Sequence, residues 1–148
     1  MKTLVKTFTA AALIAVSTFA MAANNPVSRP EKPEIDLSSA DHAIDYYVAV
    51  TTEGESDGVE QLFTKDFTQK VQSSNAQTYR RDEVVKSLKK QKGEKLNCQV
   101  STQVIEESAD YMVAKVILKF EGFTKTDLVT LIHEGDSWKV SESINTYQ

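Results

Sequence analysis

The C-terminal third of the chain constrains the fold most, because it reads as four strands joined by turns. Glu134-Gly135-Asp136 has turn chemistry and runs directly into the alternating apolar residues that begin at Trp138. This pattern is typical of an antiparallel meander. The segment before the meander has mostly helical spacing, so the sequence predicts an α+β domain with helices on one face of the sheet. Strands are predicted at about 96–106, 111–121, 124–133 and 138–147.

The first residues of the chain have the pattern of an export signal. Lys2 and Lys6 precede the apolar run 10–19, and Ala20-Met21-Ala22 has the form that signal peptidase accepts. The apolar run is too short for a membrane-spanning helix, which needs roughly 20 residues. We therefore expect residues 1–22 to be a signal peptide and the mature chain to be exported, to the periplasm or beyond.

Residues 23–37 contain all three prolines and are predicted to be a flexible lead-in, with one folded domain at 38–148. Without residues 1–22 the chain has 15 basic and 21 acidic side chains, a net charge of about −6. Binding to phosphate backbones needs clustered basic residues, so nucleic acid is not an expected partner. The lysines between positions 86 and 95 are interpreted as the solvated face of a helix.

The N-terminal part of the domain is predicted to hold three helices and a short strand pair. Helix ends are marked by capping side chains at the start and by glycine after the last turn. The predicted elements are a helix from the cap Ser38 or Ser39 to Gly54, a short helix from Asp57 through Phe63, strands at 66–72 and 76–79, and a helix from Asp82 to about Gln91 that Gly93 stops.

This order of elements, together with several short motifs, resembles the nuclear transport factor 2-like superfamily. The resemblance covers about residues 39–147 and is greatest to small exported bacterial members, some grouped as SnoaL-like or "putative lumazine-binding" proteins. The motifs are packing residues and caps. They are Ala43-Ile44-Asp45-Tyr46-Tyr47, Gly58-Val59-Glu60-Gln61-Leu62-Phe63 with Phe67 after it, Arg81-Asp82-Glu83-Val84-Val85 and Asp136-Ser137-Trp138-Lys139-Val140.

The resemblance implies a sheet that curls into a cone, closed by the helices and open at one end as a pocket. Some members of the superfamily are isomerases, dehydratases or cyclases that use an Asp, His or Tyr in the pocket, and many have no demonstrated activity. Fold alone does not choose among these. The residues expected to line the pocket are Tyr47, Val48, Phe63, Met112, Val116, Leu118, Phe120, Trp138, Val140 and Glu142.

Glu142 is the first candidate for a catalytic role. Strand side chains alternate, so Trp138, Val140 and Glu142 are expected on one face of the last strand, followed by Ile144 and Thr146. If that face lines the cone, burial would raise the pKa of Glu142 and suit it to acid–base chemistry. The alternative is that Glu142 lies at the wet rim of the sheet.

Tyr46 and Asp127 are the two weaker candidates. Tyr46 flanks the inward stripe of the first helix, where its hydroxyl could donate to a carbonyl ligand; alternatively its ring packs and its hydroxyl stays in water. Neither metal nor cofactor is expected, because the histidines, His42 and His133, are not at ligand spacing and the one cysteine, Cys98, reads as a buried strand residue.

Three functional hypotheses follow. The first is an exported small-molecule-binding or protein-interaction domain, with an apolar or aromatic ligand and a homodimer packed through the sheet. The second is an isomerase- or dehydratase-like enzyme that uses Glu142 with Tyr46 or Asp127. The third is a structural accessory domain with a filled core. A cavity of roughly 300 Å³ or more with Glu142 inside it would favour the first two.

Overall fold

The structure, a computed structural model, describes residues 34–148. The predicted signal peptide 1–22 and most of the lead-in lie outside the described residues. The helices are α1 (Ala40–Thr52), α2 (Val59–Leu62) and α3 (Arg81–Lys90), and the strands are β1 (Phe63–Gln72), β2 (Gln77–Arg80), β3 (Gln99–Glu107), β4 (Tyr111–Lys119), β5 (Thr124–Glu134) and β6 (Ser137–Tyr147).

The strands form one six-stranded sheet in the order β2-β1-β6-β5-β4-β3. The pairing of β1 with β6 is parallel, and the other four pairings are antiparallel. The helices lie on the inner face of the curved sheet, where α1 packs against β4, β5 and β6 and α3 packs against β1 and β2. The predicted α+β architecture, with three helices on a mainly antiparallel curved sheet, is confirmed.

The core lies between α1 and the inner face of the meander. The even-numbered residues of β4 from Met112 to Leu118 are fully buried, as the alternation predicts, and the odd-numbered residues from Asp127 to Leu131 face the same side from β5. Ile44, Tyr47 and Val50 cover these strands from α1.

The two ends of α1 follow the predicted signals. Ser39 is the N-cap, and its Oγ accepts from the His42 amide at 3.1 Å. Gly54 follows the C-cap with φ +69°, a conformation that side chains with a Cβ rarely adopt. The Gly54 carbonyl accepts from the Gly93 amide at 2.9 Å, so the turn after α1 is joined to the turn after α3.

The starts of the other helices differ from the predictions. The prediction that Asp57 caps α2 is wrong: the N-cap is Gly58, and the Asp57 carboxylate instead binds Lys92 Nζ at 2.6 Å. The short helix ends at Leu62, so Phe63 already belongs to β1. Helix α3 begins one residue early because Glu83 accepts from the Arg80 amide at 2.8 Å, which makes Arg80 the cap.

The last residues of the predicted lead-in belong to the folded domain. Leu37 is buried, and its carbonyl accepts from the Trp138 amide at 2.8 Å, while Ile35 packs against the core. The proline-rich composition that suggested a lead-in ends at Pro33, and the apolar residues Ile35 and Leu37 come after it.

At the other edge of the sheet, every residue of β3 is exposed. Cys98 precedes this strand, is partly buried against the core and is a free thiol. The lysines between positions 86 and 95 are all exposed, but only Lys86, Lys89 and Lys90 lie on α3; Lys92 and Lys95 follow the helix.

Candidate functional site: the cavity of the cone

A β-bulge in the last strand decides which side chains enter the cone. Leu131 pairs with Val140 and Thr130 pairs with Glu142, so Ser141 is an extra residue on β6. A bulge of one residue exchanges the two faces of the strand beyond it. Trp138 and Val140 point inward before the bulge.

The prediction that Glu142 projects into the cone with Trp138 and Val140 is therefore wrong. Beyond the bulge the buried residues are Ser143 and Asn145, and Glu142 lies on the outer face opposite Thr130. The Glu142 carboxylate pairs there with Lys70 of β1, and its side chain is 33% exposed.

A cavity of about 770 Å³ opens between α3, the inner face of the sheet and the turn between β4 and β5. A cone filled by side chains, as the third hypothesis requires, would not contain this space. Its lining is mixed, with aromatic rings, apolar side chains and a few polar groups. Residues that line it include Tyr47, Phe63, Phe67, Gln69, Tyr79, Val84, Ser87, Leu88, Phe120, Phe123, Lys125, Asn145 and Tyr147.

The polar groups at the inner end form a network around Asp127, which has no exposed surface. Its Oδ2 accepts from Lys125 Nζ at 2.8 Å and from the Tyr47 hydroxyl at 3.2 Å. Lys125 is two residues before Asp127 on β5 and so shares its face, while Tyr47 reaches the carboxylate from α1. Asn145 lies directly opposite Asp127 on β6. Tyr47, Lys125 and Asn145 line the cavity, whereas Asp127 is fully buried and does not line it; we call these four residues the polar floor.

Burial raises the pKa values of two residues of the polar floor, Asp127 and Tyr47. Desolvation raises the pKa of Asp127, although the Lys125 ammonium and the hydrogen bonds to Lys125 and Tyr47 oppose the shift. Desolvation, and next the negative charge of Asp127, raise the pKa of Tyr47 well above its ordinary range. The Tyr47 hydroxyl is therefore protonated and serves as a donor.

The mouth of the cavity is aromatic. The rings of Phe120 and Phe123 stack with centroids 4.5 Å apart and an interplanar angle of 15°, and Tyr147 lies 6.2 Å from Phe123. Phe123 is 45% exposed and Tyr147 is 50% exposed. Polarity is therefore divided along the cavity, with exposed rings at the mouth and buried hydrogen-bonding groups at the floor.

The cavity contains some of the residues expected to line the pocket. Tyr47, Phe63 and Phe120 are on its walls. The other apolar residues pack in the core or beside it, and Trp138, for example, lies 5.4 Å from the ring of His133. Glu142 lies on the outer face of the sheet. The expected residues that do not line the cavity are Val48, Met112, Val116, Leu118, Trp138, Val140 and Glu142.

Tyr46 is outside the cavity. Its hydroxyl donates to the carbonyl of Asp57 at 2.7 Å, in a separate surface groove beside Gly54 and Lys92. Desolvation, followed by the charges of Glu55, Asp57 and Glu60, raises the pKa of Tyr46 to about 12. The tyrosine that reaches Asp127 is its neighbour Tyr47.

Sequence reasoning missed Lys125 and Asn145 as site residues. The period-two alternation of β5 places Lys125 in phase with Asp127 and was a usable signal. Asn145 was hidden by the bulge, because a regular strand would turn it outward.

Within residues 34–148, no group of three or more His, Cys, Asp or Glu side chains could hold a metal ion. In the same range, no helix is long and apolar enough to cross a membrane.

Comparison with known structures gives the same fold. A protein described as NTF-2-like from Silicibacter pomeroyi is 18% identical, with 73% of this chain and 90% of that chain covered and a TM-score of 0.58. A ketosteroid isomerase-like protein from Erwinia carotovora atroseptica is 15% identical, with coverage of 75% and 95% and a TM-score of 0.57. At these identities the likeness shows the fold alone.

Comparison with sequences gives the family. No curated protein matches the chain at a significant level. A family model described as "Putative lumazine-binding" matches residues 36–144, which is most of the chain and includes Tyr47, Lys125 and Asp127 of the polar floor. The chain therefore belongs to the putative lumazine-binding family of the nuclear transport factor 2-like superfamily.

Proposed function

We propose that the chain is an exported binding domain whose small-molecule ligand occupies the cavity of the cone. The observation that carries the proposal is the division of polarity in a cavity of about 770 Å³, with aromatic rings at the mouth and a polar floor. Ligand sites are typically apolar clefts of roughly 300–1,000 Å³ with a few convergent polar groups. The family description supports binding of a small molecule.

The ligand that fits this arrangement has an apolar, aromatic body and a polar end. The exposed rings of Phe123 and Tyr147 offer flat surfaces against which another ring gains stacking and burial. The polar end then reaches the floor, where Asn145 and Lys125 line the cavity directly.

The test is direct binding of small aromatic probes, with a variant that closes the cavity. Ser87 lines the cavity from α3 and is exposed, so Ser87→Trp should fill the mouth without disturbing the core. Lys86→Trp adds the same ring at the neighbouring exposed position, which does not line the cavity, and is the matched control.

Naphthalene, 2-naphthol and 2-methoxynaphthalene are titrated calorimetrically into each protein. We expect at least one probe to bind wild type and Lys86→Trp with equal affinity, and to bind Ser87→Trp at least about tenfold more weakly. Absence of binding by all three probes, or equal binding to Ser87→Trp, would refute the proposal.

A second candidate function, catalysis in the same cavity, is favoured by the contact between Tyr47 and Asp127. Glu142 and Tyr46 lie elsewhere, so the acid of an isomerase-like reaction would be Asp127. Its carboxylate would take a proton from the α carbon of a β,γ-unsaturated ketone and return it to the γ carbon, which gives the conjugated isomer. Growth of the absorbance of the conjugated enone, and its loss in Asp127→Asn, would support catalysis; no growth above the uncatalysed rate would exclude it for that substrate.

Export is proposed from the sequence pattern at residues 1–22. Expression of the full chain in a bacterial host should give a mature protein that begins at Ala23, as measured by intact mass of the exported fraction. A product that retains Lys2 and Lys6 in every fraction would refute cleavage.

A homodimer through the sheet is proposed from the outer face of the meander. This face carries Leu128, which is 38% exposed, and the partly buried Val113, Ile117, Ile132 and Ile144. An apolar face of this kind is suited to burial against a second copy.

A further inference from the structure

The ion pair between Lys125 and Asp127 has its positive end toward the cavity. The Lys125 side chain lines the cavity and is 16% exposed, whereas Asp127 has no exposed surface and does not line it. Lys125 Nζ donates to Asp127 Oδ2 at 2.8 Å, so the carboxylate lies behind the lysine as seen from the cavity. A ligand in the cavity therefore meets the ammonium and not the acid.

Lys125 retains hydrogen-bond donors that Asp127 does not use. An ammonium has three N–H donors and no acceptor. One of these is directed at Asp127 Oδ2, which also accepts from the Tyr47 hydroxyl at 3.2 Å. Among the described residues that line the cavity, the other charged side chain is Glu83, whose carboxylate accepts from the Arg80 amide at the start of α3. The cationic donor offered to a ligand is therefore Lys125.

Lys125 is also placed next to the aromatic mouth. It pairs in register with Tyr147 of β6, and both side chains line the cavity. The Tyr147 ring lies 6.2 Å from that of Phe123. An acceptor joined directly to an aromatic ring would therefore come beside the ammonium while the ring contacts the mouth.

We propose that the ligand of this cavity is an aromatic molecule with an uncharged carbonyl oxygen attached to its ring system, and that Lys125 donates a hydrogen bond to this oxygen. The inference rests on the proposed binding function and specifies the chemistry of the polar end of the ligand. Hydrogen bonds from a charged donor are stronger than those between neutral groups, so this contact would dominate the choice of ligand.

The absence of a negative charge on the ligand follows from Asp127. The pair that Lys125 forms with Asp127 is neutral as a whole. A ligand carboxylate beside Lys125 would leave two acids sharing one largely buried cation, and an excess charge removed from water is strongly unfavourable. A carbonyl oxygen accepts from the ammonium without adding charge.

The test compares 2-acetylnaphthalene with 2-isopropenylnaphthalene by titration calorimetry. The two compounds have the same shape, but the second has a CH2 group in place of the carbonyl oxygen. We expect wild type to bind 2-acetylnaphthalene about 10- to 100-fold more tightly, because only its oxygen can accept from Lys125. A cavity that recognises the apolar body alone would give the opposite order, because the isopropenyl compound is the more apolar. We also expect 2-naphthoate to bind more weakly than 2-acetylnaphthalene, and tighter binding of the naphthoate would overturn the requirement for an uncharged acceptor.

Two variants locate the preference at Lys125. Lys125→Met keeps an unbranched side chain and removes the donors, so it should abolish or reverse the preference. Lys119→Met removes a lysine from an exposed position of the neighbouring strand β4 that does not line the cavity, and should leave the preference unchanged. If Lys125→Met does not fold because Asp127 is left unpaired, the double variant Lys125→Met/Asp127→Asn removes the buried charge as well and has the same expected result.

The outcomes separate this inference from the proposed function. If 2-isopropenylnaphthalene binds wild type as tightly as 2-acetylnaphthalene, or more tightly, and Ser87→Trp blocks both, the cavity binds small molecules but the carbonyl inference is overturned. It is also overturned if neither compound binds while naphthalene does, or if the preference persists without the Lys125 ammonium. If no aromatic probe binds, the proposed function falls with it.

Discussion

Replacement of Gly54 by alanine should disrupt the junction between the turns that follow α1 and α3. Gly54 lies where the turn after α1 meets the turn after α3. A Cβ built at this position would be 2.5 Å from the Glu94 amide nitrogen and 2.7 Å from both the Gln91 carbonyl oxygen and the Gly93 amide nitrogen. These atoms belong to the backbone, so the two turns must separate to admit the methyl group.

The expected loss of stability has two parts. The left-handed backbone, at φ +69°, is unfavourable for alanine by about 1–2 kcal/mol, partly offset by the smaller entropy of the unfolded variant. Overpacking against backbone adds roughly 1–3 kcal/mol. We therefore expect Gly54→Ala to lower the free energy of unfolding by about 2–4 kcal/mol.

Alanine substitutions at two other glycines allow the backbone contribution to be measured separately from the overpacking contribution. Gly93 has φ +79° but no atom within 4 Å of its Cβ position, so Gly93→Ala should show the backbone part alone, about 1 kcal/mol. Gly122 has neither feature, so Gly122→Ala should change stability by no more than about 0.5 kcal/mol.

Urea unfolding, followed by circular dichroism and by the fluorescence of Trp138, gives the free energy for each variant and tests two-state behaviour. The decisive comparison is Gly54→Ala against Gly93→Ala. Equal losses would refute the close approach of the two turns, because both variants would then show only the backbone strain.

Three further predictions concern the sheet. Burial raises the pKa of Asp127, so the folded state loses stability as the pH rises above the ordinary value of 3.8. Asp127→Asn should flatten this decline in urea unfolding, and parallel curves for the two proteins would contradict it. Glu142→Gln breaks the exposed pair with Lys70 and should change stability by less than about 1 kcal/mol in the same assay. Leu128→Lys should convert a sheet-packed dimer to monomer in size-exclusion chromatography with light scattering, whereas a monomeric wild type would refute the dimer.

Most of the fold could be predicted because local signals agreed with tertiary packing. In β4 the even-numbered residues from Met112 to Leu118 are apolar, and the structure buries all of them. Ser39 and Gly54 mark the ends of α1 as expected. Where prediction failed at a helix start, a side chain had a better partner elsewhere: Asp57 is paired with Lys92, so Gly58 became the cap of α2.

The position of Asn145 in the polar floor could not be predicted, because it depends on one extra residue in β6. Without the bulge at Ser141, regular alternation would place Glu142, Ile144 and Thr146 inside the cone. With it, Ser143 and Asn145 face inward, and Ile144 joins the outer face with Glu142. The alternation of β6 alone therefore gave the wrong acid, since a shift of one residue reverses every later side chain.

Asp127 faces the inside of the cone for a different reason. The strand β5 keeps its alternation from Asp127 to Leu131, so the acid stays in phase with the buried Val129. The bulge lies on the partner strand β6. It turns Asn145, rather than Ile144 or Thr146, toward the inner face that carries Asp127. Asp127 and Asn145 therefore lie opposite each other on the inner face because β5 is regular and β6 contains a bulge. Any ligand specificity of the floor depends on both strands.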